Sequence, residues 1–162
     1  MYDVVIIGAG IIGCALAREL SRLEGRIAVV DRASDVCEGA SKANSGIVHA
    51  GFDAEPGSAK ARYTVRGNPL LAQWARELQI PYRNNTSLVL ALAPEELPGL
   101  DVLYQRGQQN GVTGLRLLSA ETVRAREPRV NPAVAGALLA ETGGIVSPYH
   151  LTIALAEQAA IN

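Results

Sequence analysis

Residues 2–13 read YDVVIIGAGIIG, and this stretch decides the fold. The run at residues 2–7 is rich in β-branched side chains and lacks polar alternation, which predicts a strand buried on both faces of a parallel sheet. Gly8, Gly10 and Gly13 follow it with the spacing of a turn between a strand and a helix that binds a dinucleotide. The sequence therefore predicts a nucleotide site within its first turn.

The next residues complete one crossover unit. Apolar residues recur at helical spacing after the glycines, and Gly25 is placed to end that helix. Residues 27–30 read IAVV and predict a second buried strand, which ends at Asp31 and Arg32. A strand, a glycine turn, a helix and a second strand within about thirty residues form a βαβ unit. We therefore predict an α/β fold with a Rossmann-like βαβ domain.

Each residue of the glycine motif has a physical role. Gly8 permits the tight turn, Gly10 leaves the backbone open to a pyrophosphate, and Gly13 lets the helix pack closely on the strand. The first N–H groups of the helix, at Ile11 and Ile12, then face the phosphates.

The acid that follows the second strand completes the motif. Asp31 is placed to accept hydrogen bonds from ribose hydroxyl groups, and we count Arg32 beside it among the cofactor-binding residues. These residues argue only against a 2′-phosphate and leave FAD and NAD open. A tight turn without a ligand is the alternative for the glycines, and a solvated strand end is the alternative for Asp31.

Residues 39–51, GASKANSGIVHAG, form the most informative segment of the chain. They resemble the flavin-proximal segment of the D-amino-acid-oxidase-like superfamily of FAD-dependent oxidoreductases. Residues 41–53 are similar, more narrowly, to the bacterial glycerol-3-phosphate dehydrogenase/oxidase group and to the L-2-hydroxyglutarate oxidase group. The likeness continues through PGSAKA at residues 56–61 and IVSPY at residues 145–149. It spans essentially the whole chain but only about the first third of such an enzyme.

This resemblance implies that the cofactor is FAD, bound by a domain of the glutathione-reductase-like type. It implies that Ser41, Asn44 and Ser45 offer polar groups to the diphosphate, the ribityl chain or the flavin ring, and that Gly46 lets the backbone approach the ring. An ordinary turn is the alternative, because Ser, Asn and Gly dominate turns.

The resemblance also makes His49 the candidate catalytic base. Oxidation of a secondary alcohol removes the hydroxyl proton while a hydride passes to the flavin, and an imidazole exchanges protons near neutral pH. A histidine hydrogen-bonded between domains without touching substrate is the alternative. His150, which lies outside such a motif, is the weaker candidate.

Composition excludes several other classes of function. With 15 basic and 16 acidic residues the net charge is -1, so no strong field attracts nucleic acid. Cys14 and Cys37 are too few for a disulfide framework or a thiolate metal site, and we predict no metal. No signal-peptide pattern and no bilayer-length apolar run is found, so we expect a cytoplasmic protein. Contact with a membrane surface or a partner subunit through a further region stays open.

The remaining pattern predicts the later elements. We expect a helix that starts at Asn68 and Pro69, a strand at 87–92, a helix within 94–110 that Pro98 interrupts, a short helix from Ser119, a strand within 133–140 and a helix at 151–160. We assign residues 1–78 to the first segment of an FAD-binding domain, 79–146 to the start of an α+β substrate domain, and 147–162 to a second segment of the FAD domain. Because no strand follows the last helix, we expect the chain to be part of a longer protein.

The functional expectation is oxidation of a CH–OH group in a hydroxy acid or polyol phosphate, with sn-glycerol 3-phosphate first and L-2-hydroxyglutarate second. The electron acceptor is left unassigned. A nicotinamide-dependent dehydrogenase is a second hypothesis, although the long segment after Asp31 speaks against it. A non-catalytic nucleotide-binding module is the third.

Overall fold

Two parallel strands joined by a helix begin the chain, as the glycine motif predicts. The computed structural model describes all residues 1–162. The strands are β1 (Val4–Ile7), β2 (Ile27–Val30), β3 (Ile47–Val48), β4 (Tyr82–Arg83), β5 (Ser87–Ala91), β6 (Leu115–Ser119), β7 (Gly136–Ala140) and β8 (Gly144–Val146). The helices are α1 (Ile11–Leu20), α2 (Ala59–Glu77), α3 (Leu97–Gln109), α4 (Ala120–Arg126) and α5 (Pro148–Ile161).

The chain divides into two units. Unit 1 contains residues 1–46, 73–82 and 146–162, and unit 2 contains residues 47–72 and 83–145. In unit 1, β1 and β2 pair in parallel from Val4 with Ile27 to Ile7 with Val30. Helix α5 packs against α1 in the same unit. The predicted α/β class and the predicted βαβ unit are confirmed.

Two details of that βαβ unit differ from expectation. The prediction that β1 is buried on both faces is wrong, because Val5 is 54% exposed and Ile7 89% exposed. The predicted burial of β2 is also wrong at its end, where Val29 is 39% and Val30 46% exposed. In residues 1–162 the only strand paired with β1 is β2, so the other edge of β1 has no neighbouring strand. Helix α1 ends at Leu20 rather than at Gly25. Its buried residues are not those of the predicted apolar stripe but Gly13, Cys14, Ala17 and Arg18.

Unit 2 is built on an antiparallel sheet in the order β5–β7–β6. All five residues of β7 are buried, and alternate side chains of a strand point to opposite faces. Leu138 and Ala140 pack into one cluster with Leu100 of α3, whereas Ala137 packs into another with Val123 of α4. A short pair, β3 with β8, joins Ile47 to Ile145 and Val48 to Gly144.

The predictions for Pro69 and Pro98 are both wrong, because each helix starts at a different residue from the one predicted. Helix α2 begins near Ser58, whose Oγ accepts the Ala61 N–H at 3.1 Å, and it continues through Pro69. Pro98 lies in the first turn of α3, where the missing N–H would have had no helical partner. Strands β3, β4, β6 and β8 were not predicted. No helix combines the length and the apolar character that crossing a membrane requires.

The central strand of unit 2 generates a stability prediction. Leu138 is fully buried, whereas Leu117, its partner in the register of β6 and β7, is 44% exposed. We expect Leu138→Ala to lower the free energy of unfolding by about 2–5 kcal/mol through loss of packing and creation of a cavity. Leu117→Ala, the matched control, should cost about 0.5 kcal/mol. Urea denaturation followed by circular dichroism measures both, and equal losses would contradict this assignment of the core.

Candidate functional site

The glycine turn brings α1 directly onto β1. Gly8 has φ +108°, a conformation that side chains other than glycine rarely adopt. A Cβ atom on Gly13 would collide with the carbonyl oxygen of Gly8, so the helix could not pack this closely with any other residue there. The first and last glycines of the motif are thus required by the backbone itself.

A serine from the distant segment completes the start of α1. Gly10 is the N-cap residue and supplies no side-chain hydrogen bond of its own. Instead, the Ile11 N–H donates to Ser41 Oγ at 2.9 Å, and a Cβ atom on Gly10 would lie 2.9 Å from that oxygen. The structure therefore brings together Gly10, Ile11 and Ser41, which lie up to 31 positions apart. Ile12 is 80% exposed beside them.

Asp31 connects the end of β2 to the same turn. Its carboxylate accepts the Ala9 N–H at 2.7 Å and the Ala33 N–H at 2.8 Å. These hydrogen bonds, from Ala33 first and then Ala9, lower the pKa of Asp31 because they stabilise its charged form. The nearby positive charge of Arg32, which is exposed, acts in the same direction. Asp31 thus braces the glycine turn, a role that its predicted contact with ribose did not include.

An open groove of about 490 Å³ lies along this turn. It is lined by β1, by Gly8, Gly10 and Gly13, by the first turn of α1 and by Ser41. The free N–H groups in the first turn of a helix carry the positive end of its dipole, which favours a phosphate. The absence of a side chain at Gly10 and the hydroxyl group of Ser41 also suit a pyrophosphate. The residues present therefore fit a dinucleotide such as FAD.

The rest of the polar segment is held mainly by its own hydrogen bonds. The Asn44 amide donates to the carbonyl of Ser41 at 2.8 Å and accepts the Gly46 N–H at 2.9 Å. Ser45 is exposed and makes no hydrogen bond within the chain. Gly46 has φ +66°, and a Cβ atom there would collide with the carbonyl oxygen of Val146. Packing within unit 1 already requires this glycine, whatever it does toward a flavin.

His49 belongs to unit 2 and follows Gly46 by three residues. Its neighbours Val48 and Ala50 are buried, 2% and 3% exposed, whereas His49 itself is exposed. The imidazole makes no hydrogen bond within the chain and is free to contact another molecule. His150, by contrast, lies in the first turn of α5, where its Nδ1 is 2.7 Å from Ser147 Oγ.

Three side chains near His49 were missed by sequence reasoning. Asn68, Arg106 and Asn110 hydrogen-bond to backbone carbonyls of residues 49–54. Asn68 was interpreted as a helix cap because it precedes Pro69, whereas Arg106 lies in the last turn of α3 and Asn110 is the C-cap residue of that helix. No local pattern reveals such contacts, since they join residues 19 to 59 positions apart.

Known enzymes are similar to this chain over nearly its whole length. Over 162 residues, all of this chain, it is 46% identical to a glycerol 3-phosphate dehydrogenase of Caloramator mitchellensis and covers 34% of that protein. Over 156 residues, 96% of this chain, it is 38% identical to the mitochondrial L-2-hydroxyglutarate dehydrogenase of Arabidopsis thaliana and covers 32% of it. The chain thus spans about a third of the length of these relatives.

Solved structures of oxidases are also similar to this chain over nearly its whole length. L-α-glycerophosphate oxidase from Mycoplasma pneumoniae, in its dithionite-reduced form with FAD bound, matches with a TM-score of 0.92 and 32% identity. That match covers 99% of this chain and 42% of the oxidase. Glycine oxidase from Bacillus cereus matches with a TM-score of 0.84 and 28% identity, covering 99% of this chain and 44% of that one.

A family model described as FAD dependent oxidoreductase matches residues 3–162. The predicted resemblance and the predicted cofactor are both confirmed by this match. Because it extends over nearly every residue, the chain belongs to the DAO family of FAD-dependent oxidoreductases.

Proposed function

We propose that this chain supplies the dinucleotide-binding turn and the base-bearing loop of a dehydrogenase or oxidase that oxidises a CH–OH group of a small hydroxy compound. The observation that carries the proposal is the exposed imidazole of His49 on a backbone whose flanking residues, Val48 and Ala50, are buried. The imidazole can then meet a substrate as a proton acceptor, while the buried neighbours on either side restrain the backbone of His49.

The substrate we propose first is sn-glycerol 3-phosphate. The 46% identity to a protein named glycerol 3-phosphate dehydrogenase supports this choice over the whole chain. L-2-hydroxyglutarate is the second candidate, supported by the 38% identity to the Arabidopsis thaliana enzyme. Both compounds carry a secondary alcohol, so the same proton acceptor suits either.

The chain's own residues divide the work. Gly10, Ser41 and the N–H groups of α1 that follow the occupied N–H of Ile11 would hold the pyrophosphate of FAD. Asp31 would keep that turn in place while a free lone pair meets the ribose. His49 would accept the proton of the substrate hydroxyl group. FAD, when bound, supplies the acceptor for the hydride. We propose that Ser45 and Arg32 act only at the edges of the cofactor, since neither is held by a hydrogen bond of its side chain.

We keep the division into residues 1–78, 79–146 and 147–162 as our proposal for the roles of the segments. In it the first and last segments carry the cofactor, and the middle one begins the substrate domain. The basic residues that would grip an anionic substrate group are not assigned within the chain.

The central test uses the protein translated from the complete reading frame, purified with its flavin. We expect the bound flavin to lose its yellow colour anaerobically on addition of sn-glycerol 3-phosphate, or of L-2-hydroxyglutarate if the second candidate is right. His49→Ala should slow this reduction about 100- to 10,000-fold, the usual contribution of a general base, while FAD stays bound. Stopped-flow absorbance measures both rates.

His150→Ala is the matched control for that experiment. His150 is also exposed, but it belongs to the first turn of α5, so its loss should leave the reduction rate unchanged. An unchanged rate in His49→Ala would remove the catalytic role of His49. Failure of both substrates to reduce the flavin would reject the proposed reaction.

A second prediction concerns the pyrophosphate site. In Gly10→Ala the added Cβ atom would lie 2.9 Å from Ser41 Oγ, where it would displace the serine and obstruct the cofactor. We expect FAD affinity to fall about tenfold or more, which corresponds to about 1.4 kcal/mol. Gly99→Ala in α3 is the control, because a Cβ atom there meets nothing within 4 Å. Fluorescence titration of the apoprotein with FAD measures both, and equal affinities would contradict the assignment.

A third prediction concerns acid. The pKa of Asp31 is lowered in the folded protein, so its contribution to stability is fully present above the ordinary aspartate pKa of about 3.9. That contribution is lost as the pH falls through the lowered value. We therefore expect wild type to exceed Asp31→Asn in its urea midpoint at neutral pH, and the difference to shrink below about pH 4. A difference that stays constant over this range would show that the charge of Asp31 does not brace the turn.

A further inference from the structure

The loop of residues 49–54 joins β3 to the segment before α2 and carries His49. Ala50, Gly51 and Ala54 in this loop are buried, whereas His49 is exposed. Gly51 has φ +103°, which turns the backbone sharply directly after the buried Ala50. The loop carbonyl groups accept no hydrogen bond from a backbone N–H outside the loop, so their partners within the chain are side chains.

Asn68 of α2 supplies the first of these bonds. Its Nδ2 donates to the carbonyl oxygen of His49 at 3.1 Å and to that of Thr142 at 2.9 Å. Because both partners are carbonyl oxygens, only the NH2 side of the amide can face them. The two protons of one amide group therefore tie the backbone of His49 to the turn between β7 and β8.

The far end of the loop is held from α3. Asn110 Nδ2 donates to the carbonyls of Gly51 at 2.9 Å and Ala54 at 2.8 Å. Arg106 Nη1 donates to the carbonyl of Asp53 at 3.1 Å. Three side chains from two helices thus bind four of the six carbonyl groups in the loop.

Packing leaves the loop little freedom to shift against these helices. A Cβ atom on Gly51 would lie 2.7 Å from Val65 Cγ2 of α2. A Cβ atom on Gly107 of α3 would lie 2.9 Å from Phe52 Cβ. Two glycines on opposite sides of the contact therefore let the loop and both helices approach to within van der Waals distance.

We propose that Asn68, with Asn110 and Arg106, is a positioning residue that fixes where the imidazole of His49 stands. This inference rests on the proposed function of His49 as the proton acceptor. Every hydrogen bond from the set to residues 49–54 ends on the main chain, so the set fixes the path of the backbone and leaves the side chain of His49 free. Displacement of a catalytic group by about 1 Å is enough to slow a reaction 100-fold.

Asn68→Asp is the sharpest variant, because a carboxylate has the size of the amide but places an oxygen against two carbonyl oxygens. In the flavin-loaded protein from the complete reading frame we expect faster hydrogen exchange in peptides that contain residues 49–54. We also expect the limiting rate of flavin reduction by sn-glycerol 3-phosphate to fall roughly 10- to 100-fold. The substrate concentration for half-maximal rate should change far less, and the visible spectrum of the bound FAD should be kept. Asn68→Ala tests the same contact without repulsion and should give a smaller loss.

Val123→Ala is the control for general destabilisation. Val123 is fully buried in unit 2 but packs with Ala137, on the face of the sheet opposite Leu138 and Ala50. It should lower the melting temperature while leaving both loop exchange and reduction rate unchanged. If Asn68→Asp left exchange in residues 49–54 unchanged, or slowed flavin reduction no more than Val123→Ala did, the proposal would be overturned.

The same experiment separates this proposal from the proposed function. A wild-type flavin that neither sn-glycerol 3-phosphate nor L-2-hydroxyglutarate reduces would count against the reaction. Hydrogen exchange would still decide whether the amide of Asn68 holds the loop. If wild type reacts and Asn68→Asp reacts equally fast, the reaction stands and the positioning role falls.

Discussion

The peptide of Ala9 is the point on which unit 1 depends. Its N–H donates to Asp31 at 2.7 Å, and its carbonyl accepts the N–H of Cys37 at 3.0 Å. The Cys14 thiol donates to that same carbonyl at 3.4 Å. One buried residue in the middle of the glycine turn therefore connects the end of β2, the inner face of α1 and the start of the polar segment.

This connection explains how the site is assembled from separate parts of the chain. Cys37 anchors the polar segment four residues before Ser41, and Ser41 then caps α1 at Ile11. Burial raises the pKa of the Cys14 thiol, which keeps the group neutral and unreactive beside the turn. The cysteines act here as packing residues, as expected for Cys14 from its position after Gly13.

Sequence reasoning succeeded where the signal is local. The glycine spacing, the acid after β2 and the serine that opens α4 are each determined by backbone geometry within a few residues. It failed where long-range packing decides: Pro69 lies inside α2 because that helix starts earlier, at Ala59, and only one backbone hydrogen bond is lost. Burial of β1 was overestimated. An apolar strand indicates that some layer covers it, but the strand does not indicate whether residues 1–162 supply that layer. The contacts of Asn68 and Asn110 could not be predicted, since an asparagine that binds a distant carbonyl has no signature of its own.

The glycine turn of unit 1 and the loop of unit 2 that carries His49 differ in the groups that they present. The turn at Gly8 to Gly13 presents backbone N–H groups and a helix dipole, which select for a phosphate group but not for a substrate. The loop of residues 49–54 presents an exposed imidazole on a main chain that Asn68, Arg106 and Asn110 hold by hydrogen bonds. Proteins named glycerol 3-phosphate dehydrogenase, L-2-hydroxyglutarate dehydrogenase and glycine oxidase are all similar to this chain. Because relatives with such different names share this backbone, the turn and the loop do not by themselves identify a substrate.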